Sequence, residues 1–253
     1  MILKVIFIVF AAAVIFMMIS RIKALKKREE YLEKYAADVS HELKTPLAAM
    51  KVLADSLLSQ EHAGEETYRE FMRDISMEID RENRLISDLM ILEGGRSAGK
   101  KPDISEFSVN ELAEDTVKMI SPLAKENGIT VVLECMNEVN IRTDRARLSD
   151  ILINLVENAI KYNRPDGWVR INLCAEQRKC CIRVSDSGIG IPQEEQKKVF
   201  QRFYRVDKQH SREIGGTGLG LSIVWETVSM LGGTVELESR EGEGSIFTVR
   251  IPL

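Results

Sequence analysis

Asn154-Leu155-Val156-Glu157-Asn158-Ala159-Ile160-Lys161-Tyr162-Asn163 sorts its side chains onto two faces of a helix. Asn154, Glu157, Asn158 and Lys161 fall at i, i+3, i+4 and i+7 and share one face, while Leu155, Val156 and Ile160 take the other. A polar helix face is ordinarily just a solvated one. This one carries the oxygen donors that suit Mg²⁺, an ion that keeps several waters and shares phosphate oxygens, and Lys161 adds a positive charge for phosphate. The helix is expected over Arg145 to Tyr162, with Asp144 as its N-cap. Around it Val109 to Lys125 reads as a second helix. Ile129 to Glu134, Val169 to Ala175 and Cys180 to Asp186 read as strands, and Thr234 to Glu238 with Ser245 to Ile251 as a closing hairpin.

Two glycine clusters follow the asparagine helix. Asp186-Ser187-Gly188-Ile189-Gly190-Ile191-Pro192 comes directly after a predicted strand. Gly188 and Gly190 permit positive φ and close approach of a flat ligand, and Asp186 can accept a hydrogen bond from an exocyclic amine such as that of adenine. Gly215-Gly216-Thr217-Gly218-Leu219-Gly220-Leu221 opens a helix through Ser222 to Leu231, and backbone N–H groups at such a start bind phosphate. No Gly-Lys-Ser/Thr follows, so it is not a P-loop. No strand and acidic ribose ligand frame it either, so it is not a dinucleotide fingerprint. Between the clusters lie about two dozen charge-rich residues, a length typical of a lid or a disordered segment. They include Phe200-Gln201-Arg202-Phe203-Tyr204-Arg205, in which Phe200 and Phe203 could pin the segment and Arg202 or Arg205 could reach phosphate.

Upstream the pattern is purely helical. From Arg21 to Ser59 there is no glycine and one proline, and Leu25, Leu32, Tyr35, Val39, Leu47, Met50, Leu53 and Leu57 recur at helical spacing. A second amphipathic stretch after Gly64 carries Phe71, Ile75, Ile79, Leu85, Ile86, Leu89 and Leu92. Two such helices make a hairpin whose core is too small to stand alone, and two hairpins packed as a four-helix bundle would suffice, which predicts a homodimer. Within the first helix, Asp38-Val39-Ser40-His41-Glu42-Leu43-Lys44-Thr45-Pro46 places His41 away from the apolar stripe. A neutral imidazole is a competent nucleophile near physiological pH, and Glu42 could take or orient its other proton. Thr45, at i+4, could position a water. Pro46 cannot bond the Glu42 carbonyl and is expected to kink or loosen the helix. An exposed helical histidine is usually only a surface residue, and His62 and His210 are read that way.

Val5 to Ile19 is an unbroken apolar run, and Ile2 to Ser20 spans most of a bilayer's hydrocarbon core at about 1.5 Å per residue. Arg21-Ile22-Lys23-Ala24-Leu25-Lys26-Lys27-Arg28 follows, which predicts a cytoplasmic flank and an uncleaved single-pass anchor in the plasma or inner membrane. A formal net charge of −4 over 253 residues argues against a nucleic-acid binder that relies on general basicity. Cys135, Cys174, Cys180 and Cys181 form no C-x-x-C pair and have no histidine at ligand spacing, which excludes a zinc site and leaves small buried residues in a reducing compartment.

Together these segments resemble a bacterial two-component sensor histidine kinase. The resemblance rests on a phosphoacceptor box at His41 to Pro46, an asparagine box at Asn154 to Asn163, glycine boxes at Asp186 to Gly190 and Gly216 to Gly220, and a phenylalanine box at Phe200 to Phe203, all in family order. It implies an α+β chain: transmembrane anchor (residues 1–20), dimerising phosphotransfer hairpin (21–95), linker (96–105) and an α/β two-layer sandwich that binds ATP (106–253). His41 would be the phosphoacceptor, Glu42 its base, and Thr45 an aid to hydrolysis of the partner's phospho-aspartate. Asn158 would hold Mg²⁺, with Asn154 as a second candidate and Lys161 near the phosphates. Tyr162 would lie by the adenine and Asp186 would read its amino group. Gly188, Gly190, Phe203, Arg205, Gly216, Gly218, Leu219 and Gly220 complete the implied nucleotide site. The implied partner is a response regulator receiver domain. Many family members carry a sensor domain between two spans and a juxtamembrane relay, neither of which is expected in this chain, so a membrane sensory partner is a further expectation.

Two rivals stand beside this reading. A clamp-type ATPase of the gyrase, heat-shock and mismatch-repair group shares similar boxes but has no phosphoacceptor hairpin. A non-catalytic membrane scaffold would not need intact Asn158, Asp186 and glycine clusters.

Overall fold

The computed structural model describes residues 2–59, 64–94, 103–206 and 216–253, with the side chains of 2–15, 24, 27, 28, 31, 93 and 94 left outside the description. A helical hairpin precedes an α/β domain. Helix α1 (Ile2–Leu58) and helix α2 (Glu65–Gly94) come first. The expected kink at Pro46 is not a break: α1 runs through it as helix, and Pro46 itself is buried. Thr45 Oγ1 donates to the His41 carbonyl at 3.1 Å, a bond back to the preceding turn beside the gap that proline leaves. Along α1 and the first part of α2, Ile22, Leu25, Leu32, Leu47, Val52, Met72 and Ile79 are exposed.

The expected anchor falls mostly on side chains outside the description. Among the described residues no helix is long and apolar enough to cross a membrane. Most of the expected linker, His62, His210 and Gly215 also lie outside the described residues.

The chain divides into two compact units, residues 1–82 and 83–253, so the last turns of α2 belong with the α/β domain. There the elements run β1 (Ile104–Ser108), α3 (Val109–Glu126), β2 (Thr130–Cys135), β3 (Asn140–Asp144), α4 (Arg145–Lys161), β4 (Trp168–Glu176), β5 (Lys179–Asp186), α5 (Gly220–Met230), β6 (Thr234–Arg240) and β7 (Gly244–Pro252). Five strands form one sheet in the order β2-β4-β5-β7-β6, parallel at β2–β4 and antiparallel elsewhere. Strands β1 and β3 pair antiparallel as a separate ribbon. Neither was expected from the sequence.

Period-two alternation decides which sheet face is buried. Ile171 and Leu173 of β4, Ile182 and Val184 of β5, and Phe247 and Val249 of β7 stand opposite one another and join the core of α3, α4 and α5. The apolar face of α4 supplies Leu148, Ile151, Leu152, Leu155 and Val156, each at most 1% exposed. The two caps are as their residue types require. Ser108 accepts from the Glu111 N–H at the start of α3, and Asp144 accepts from the Arg147 N–H at the start of α4.

The cysteines split by face. Cys180 is buried on the core side, and burial pushes its thiol up to about 12. Cys174 and Cys181 stand opposite each other on the other face, and burial followed by the neighbouring Cys181 pushes Cys174 up to about 11. Cys135 is exposed, against the expectation of a buried residue. Thiols held protonated in this way are poor nucleophiles.

Candidate functional site

The polar face of α4 lies beside the start of α5. A side chain at Gly220 would place its Cβ 2.7 Å from Asn154 Oδ1 and 3.4 Å from Asn158 Nδ2, so only glycine lets the first turn of α5 sit this close. Asn154 Nδ2 donates to the Asp150 carbonyl at 2.8 Å, which fixes its oxygen toward Gly220. Lys161 Nζ is 2.5 Å from Glu157 Oε2, one helical turn away, so its charge is shared with an acid. Asn163, at the end of the motif, has a different task. Its Nδ2 donates to the carbonyls of Ala159 and Trp168 at 2.9 and 3.0 Å and ties the end of α4 to β4.

Asp186 ends β5 on the core-facing side of the sheet. Its register partner on β4 is Val169. The N–H groups of Gly188 and Ser245 donate to Asp186 Oδ1 at 2.8 and 3.2 Å and orient the carboxylate. Burial raises its pKa to about 6 despite these two bonds, which pull it down. Gly188 backs onto the Tyr162 carbonyl, leaving no room for a Cβ, and the next N–H, of Ile189, donates to that carbonyl at 3.1 Å. Gly190 has φ +68° and presses on the Arg240 carbonyl. Asp186, Gly188 and Tyr162 are therefore one constellation, as Asn154, Asn158 and Gly220 are another, joined through α4.

The phenylalanine segment is pinned at several points. The Phe200 ring stands 5.4 Å from Trp225 and 6.3 Å from Phe247. Phe203 has φ +60°, and the Gly218 backbone (φ +71°) lies against it, 2.9 Å from a Gly218 Cβ position to the Phe203 carbonyl carbon. Tyr204 meets Glu195 through its hydroxyl. Of Arg202 and Arg205, the two candidates for a phosphate contact, Arg202 is engaged with an acid: its Nε and Nη2 donate to Glu226 of α5 at 2.7–2.9 Å. Arg205 is half-buried.

Thr217, inside the second glycine cluster, was not singled out from the sequence. Its Oγ1 donates to Asp88 Oδ2 at 3.1 Å and accepts from the Leu219 N–H at 3.3 Å. Leu219 is fully buried and Gly216 half-buried. Burial raises the Asp88 pKa; the Thr217 bond lowers it, Glu157 raises it, and Lys161 and Arg84 lower it. Burial, then Asp144 and Asp88, raise Asp150 to about 6 against the pull of Arg147. Asp88 and Asp150 are thus both held above the ordinary carboxylate range. Among the described residues no three His, Cys, Asp or Glu side chains converge as a cage for a metal ion.

In the first unit His41 is two-thirds exposed, and its Nδ1 is 4.0 Å from Glu42 Oε1, beyond hydrogen-bond reach but on the side that could hold an Nδ1 proton. With a proton held at Nδ1, the opposite nitrogen, Nε2, would carry the free lone pair. Thr45 is exposed as well, with its hydroxyl on the His41 carbonyl.

Comparison with known proteins gives a consistent picture. Residues 31–94 match the His Kinase A (phospho-acceptor) domain, and residues 143–253 match the "Histidine kinase-, DNA gyrase B-, and HSP90-like ATPase" family. The catalytic domain of histidine kinase ThkA is 33% identical and superposes with a TM-score of 0.53, covering 59% of this chain and 95% of that one. ThkA crystallised in complex with response regulator protein TrrA is 26% identical, with a TM-score of 0.72 over 90% of this chain and 63% of that one. Sensor-like histidine kinase SenX3 of Mycobacterium tuberculosis (strain H37Rv) is 35% identical over 218 residues. That alignment takes in 86% of this chain but 53% of SenX3, so the chain spans about half the length of this relative.

Proposed function

The chain belongs to the two-component sensor histidine kinases, and on that premise we propose that it uses ATP to phosphorylate His41 and then passes the phosphoryl group to an aspartate of a response regulator receiver domain. The observation that carries this reading is the seating of Gly220 on Asn154 and Asn158, with the Asp186 carboxylate pinned by backbone N–H groups at the other end of α4. These are the two ends of a nucleotide cradle, in a chain that also presents an exposed helical histidine.

Adenine binds beside Tyr162 with its amino group donating to Asp186, and Gly188 and Gly190 keep that wall flat. The triphosphate lies along Asn154, Asn158 and Lys161 toward Gly216, Gly218, Leu219 and Gly220, with Phe203 and Arg205 flanking it. Lys161 turns from Glu157 to phosphate, an exchange of one ionic partner for another. With too few acids for a closed cage, Asn158 would hold Mg²⁺ in common with phosphate oxygens, Asn154 being the second candidate. When bound, Mg²⁺ supplies charge neutralisation for the phosphates. His41 Nε2 attacks the γ-phosphorus as the bond to the ADP oxygen breaks, and Glu42 holds the Nδ1 proton. In the second transfer the regulator's carboxylate attacks phosphorus and the P–N bond breaks. Thr45 orients a water for hydrolysis of the phospho-aspartate, which gives the protein phosphatase activity as well.

The exposed apolar row on α1 and α2 supports a homodimer in which two hairpins form a four-helix bundle. The run Val5 to Ile19 and the basic residues after it support a membrane anchor with the catalytic region on the cytoplasmic side, receiving its cue from a membrane partner. The working layout is anchor 1–20, hairpin 21–95, linker 96–105 and ATP-binding domain 106–253.

Incubation with γ-labelled ATP tests the reading. A histidine kinase acquires label that is acid-labile and base-stable. A clamp-type ATPase releases phosphate without becoming labelled, and a scaffold does neither. Absence of protein-bound label, with or without a regulator present, sinks the proposal.

A further inference from the structure

The Arg202–Glu226 ion pair joins the phenylalanine segment to α5. Arg202 is 10% exposed and Glu226 27%. Two guanidinium nitrogens meet two carboxylate oxygens: Nε donates to Oε1 at 2.9 Å and Nη2 donates to Oε2 at 2.8 Å, with Nη2 also 2.7 Å from Oε1. Desolvating two charges is costly, and an apolar pair of similar volume would hold two elements together at least as well. What a bidentate pair adds is direction, because the planar fork accepts the carboxylate in one orientation.

That direction is handed along a short chain of contacts. Arg202 precedes Phe203, whose left-handed backbone lies against Gly218, and Gly218 has no room for a Cβ. Two residues on, Gly220 rests on the oxygen of Asn154 and beside Asn158. Glu226 lies six residues further along the same helix. A closed loop results: α5, Glu226, Arg202, Phe203, Gly218 and back to the first turn of α5. The backbone N–H groups of that turn are the ones placed toward the phosphates.

We propose that Glu226 is a positioning residue for the phosphate end of the nucleotide site, acting through Arg202 and the Phe203 backbone on the Gly216–Gly220 turn. The proposal rests on the ATP reading above. It touches the triphosphate half of the site only, because Asp186, Gly188 and Tyr162 are held by separate contacts.

The test uses the full chain, with affinities for Mg²⁺-ATP and for adenosine measured by calorimetry, melting temperature, and the KM and kcat of self-phosphorylation. Glu226→Gln keeps the size of the side chain and removes its charge. The double variant Arg202→Met with Glu226→Leu replaces the pair by apolar groups, which keeps the two elements packed while discarding the fork. Both variants are expected to bind ATP about tenfold more weakly, with adenosine affinity within about twofold of the parent and KM rising more than kcat falls. If Glu226→Gln does not fold, the double variant decides. Equal weakening of ATP and adenosine, or parent-like ATP affinity in the double variant, overturns the positioning role. A parent chain that binds no ATP overturns the underlying reading instead, and the proposal with it.

Discussion

Replacing Asp186 by asparagine should make the second unit more stable and the nucleotide site worse. The carboxyl's pKa is raised by burial from 3.8 to about 6. A folded-state pKa above the unfolded one means that the folded protein binds more protons between those values, so this group's contribution to stability is fully present below pH 3.8 and is lost as pH rises from there through about 6. At about 1.36 kcal/mol per pH unit, the shift costs about 3 kcal/mol at pH 7.5, where folded Asp186 is ionised, and about 1 kcal/mol at pH 4.5, where it is protonated but the unfolded chain's carboxyl is largely ionised. The amide gives some of that back, since its NH₂ group brings a new donor into a largely buried place, at about 1 kcal/mol. Asp186→Asn is therefore expected to gain about 1–2 kcal/mol at pH 7.5, with the advantage shrinking by about 2 kcal/mol at pH 4.5. Urea titration followed by tryptophan fluorescence reads the right unit, because both tryptophans, Trp168 and Trp225, lie within residues 83–253. The same variant should bind ATP at least about tenfold more weakly, the range expected for a hydrogen bond to a charged group. A variant no more stable than the parent at pH 7.5, or an advantage that does not change with pH, would refute the reasoning. Either result would mean that Asp186 carries no strain of burial for the sake of a ligand.

Other substitutions separate the parts of the site. His41→Gln should abolish labelling while leaving ATP affinity within about twofold, since no nucleotide contact is assigned to the hairpin; label that persists identifies another acceptor. Gly220→Ala should push Asn154 from its place and lower ATP affinity about tenfold. Its effect on unfolding should stay within about 1 kcal/mol, because the helix gains from alanine what the Asn154–Asp150 bond loses; a calorimetric affinity equal to the parent's would remove Asn154 from the phosphate site. Thr45→Ala should slow dephosphorylation of the phospho-regulator by about tenfold or more while self-phosphorylation changes less, and equal loss of both rates would argue against a water-positioning hydroxyl.

The long periodic elements were legible because one physical signal governs each. Helix α4 could be read from its two faces and the Asp144 cap, and β4, β5 and β7 from alternation against a single buried face. The ribbon of β1 and β3 left no such trace. Ile104, Ser105 and Glu106 are exposed, and each strand is defined only by a partner some 36 residues away in sequence. The site divides in the same way. Asn154, Asn158, Asp186 and the glycines announced themselves through local spacing. Arg202 and Arg205 both read as candidate phosphate ligands in a charge-rich stretch, whereas the acidic partner of Arg202, Glu226, lies 24 residues on, in a helix with no local cue. Thr217 sits among its glycines with no spacing that marks it. Nothing near Asp88 in sequence tells that this polar position on α2 meets that hydroxyl.

The division of α2 after Glu82 gives the helix a use as a gauge. From Glu65 to Glu93 it contains neither proline nor glycine, yet its residues are shared between two compact units. Amide hydrogen exchange should then step within an unbroken helix, with 65–82 opening alongside the first unit and 86–94 alongside α4 and β5. A nucleotide at 100 times its Kd stabilises the unit that binds it by about 2.7 kcal/mol, or about a hundredfold in exchange rate. That slowing should reach Leu89 and Leu92 and stop short of Ile75 and Ile79. The tail of the hairpin would thus report occupancy of a site that it meets through the Asp88–Thr217 bond.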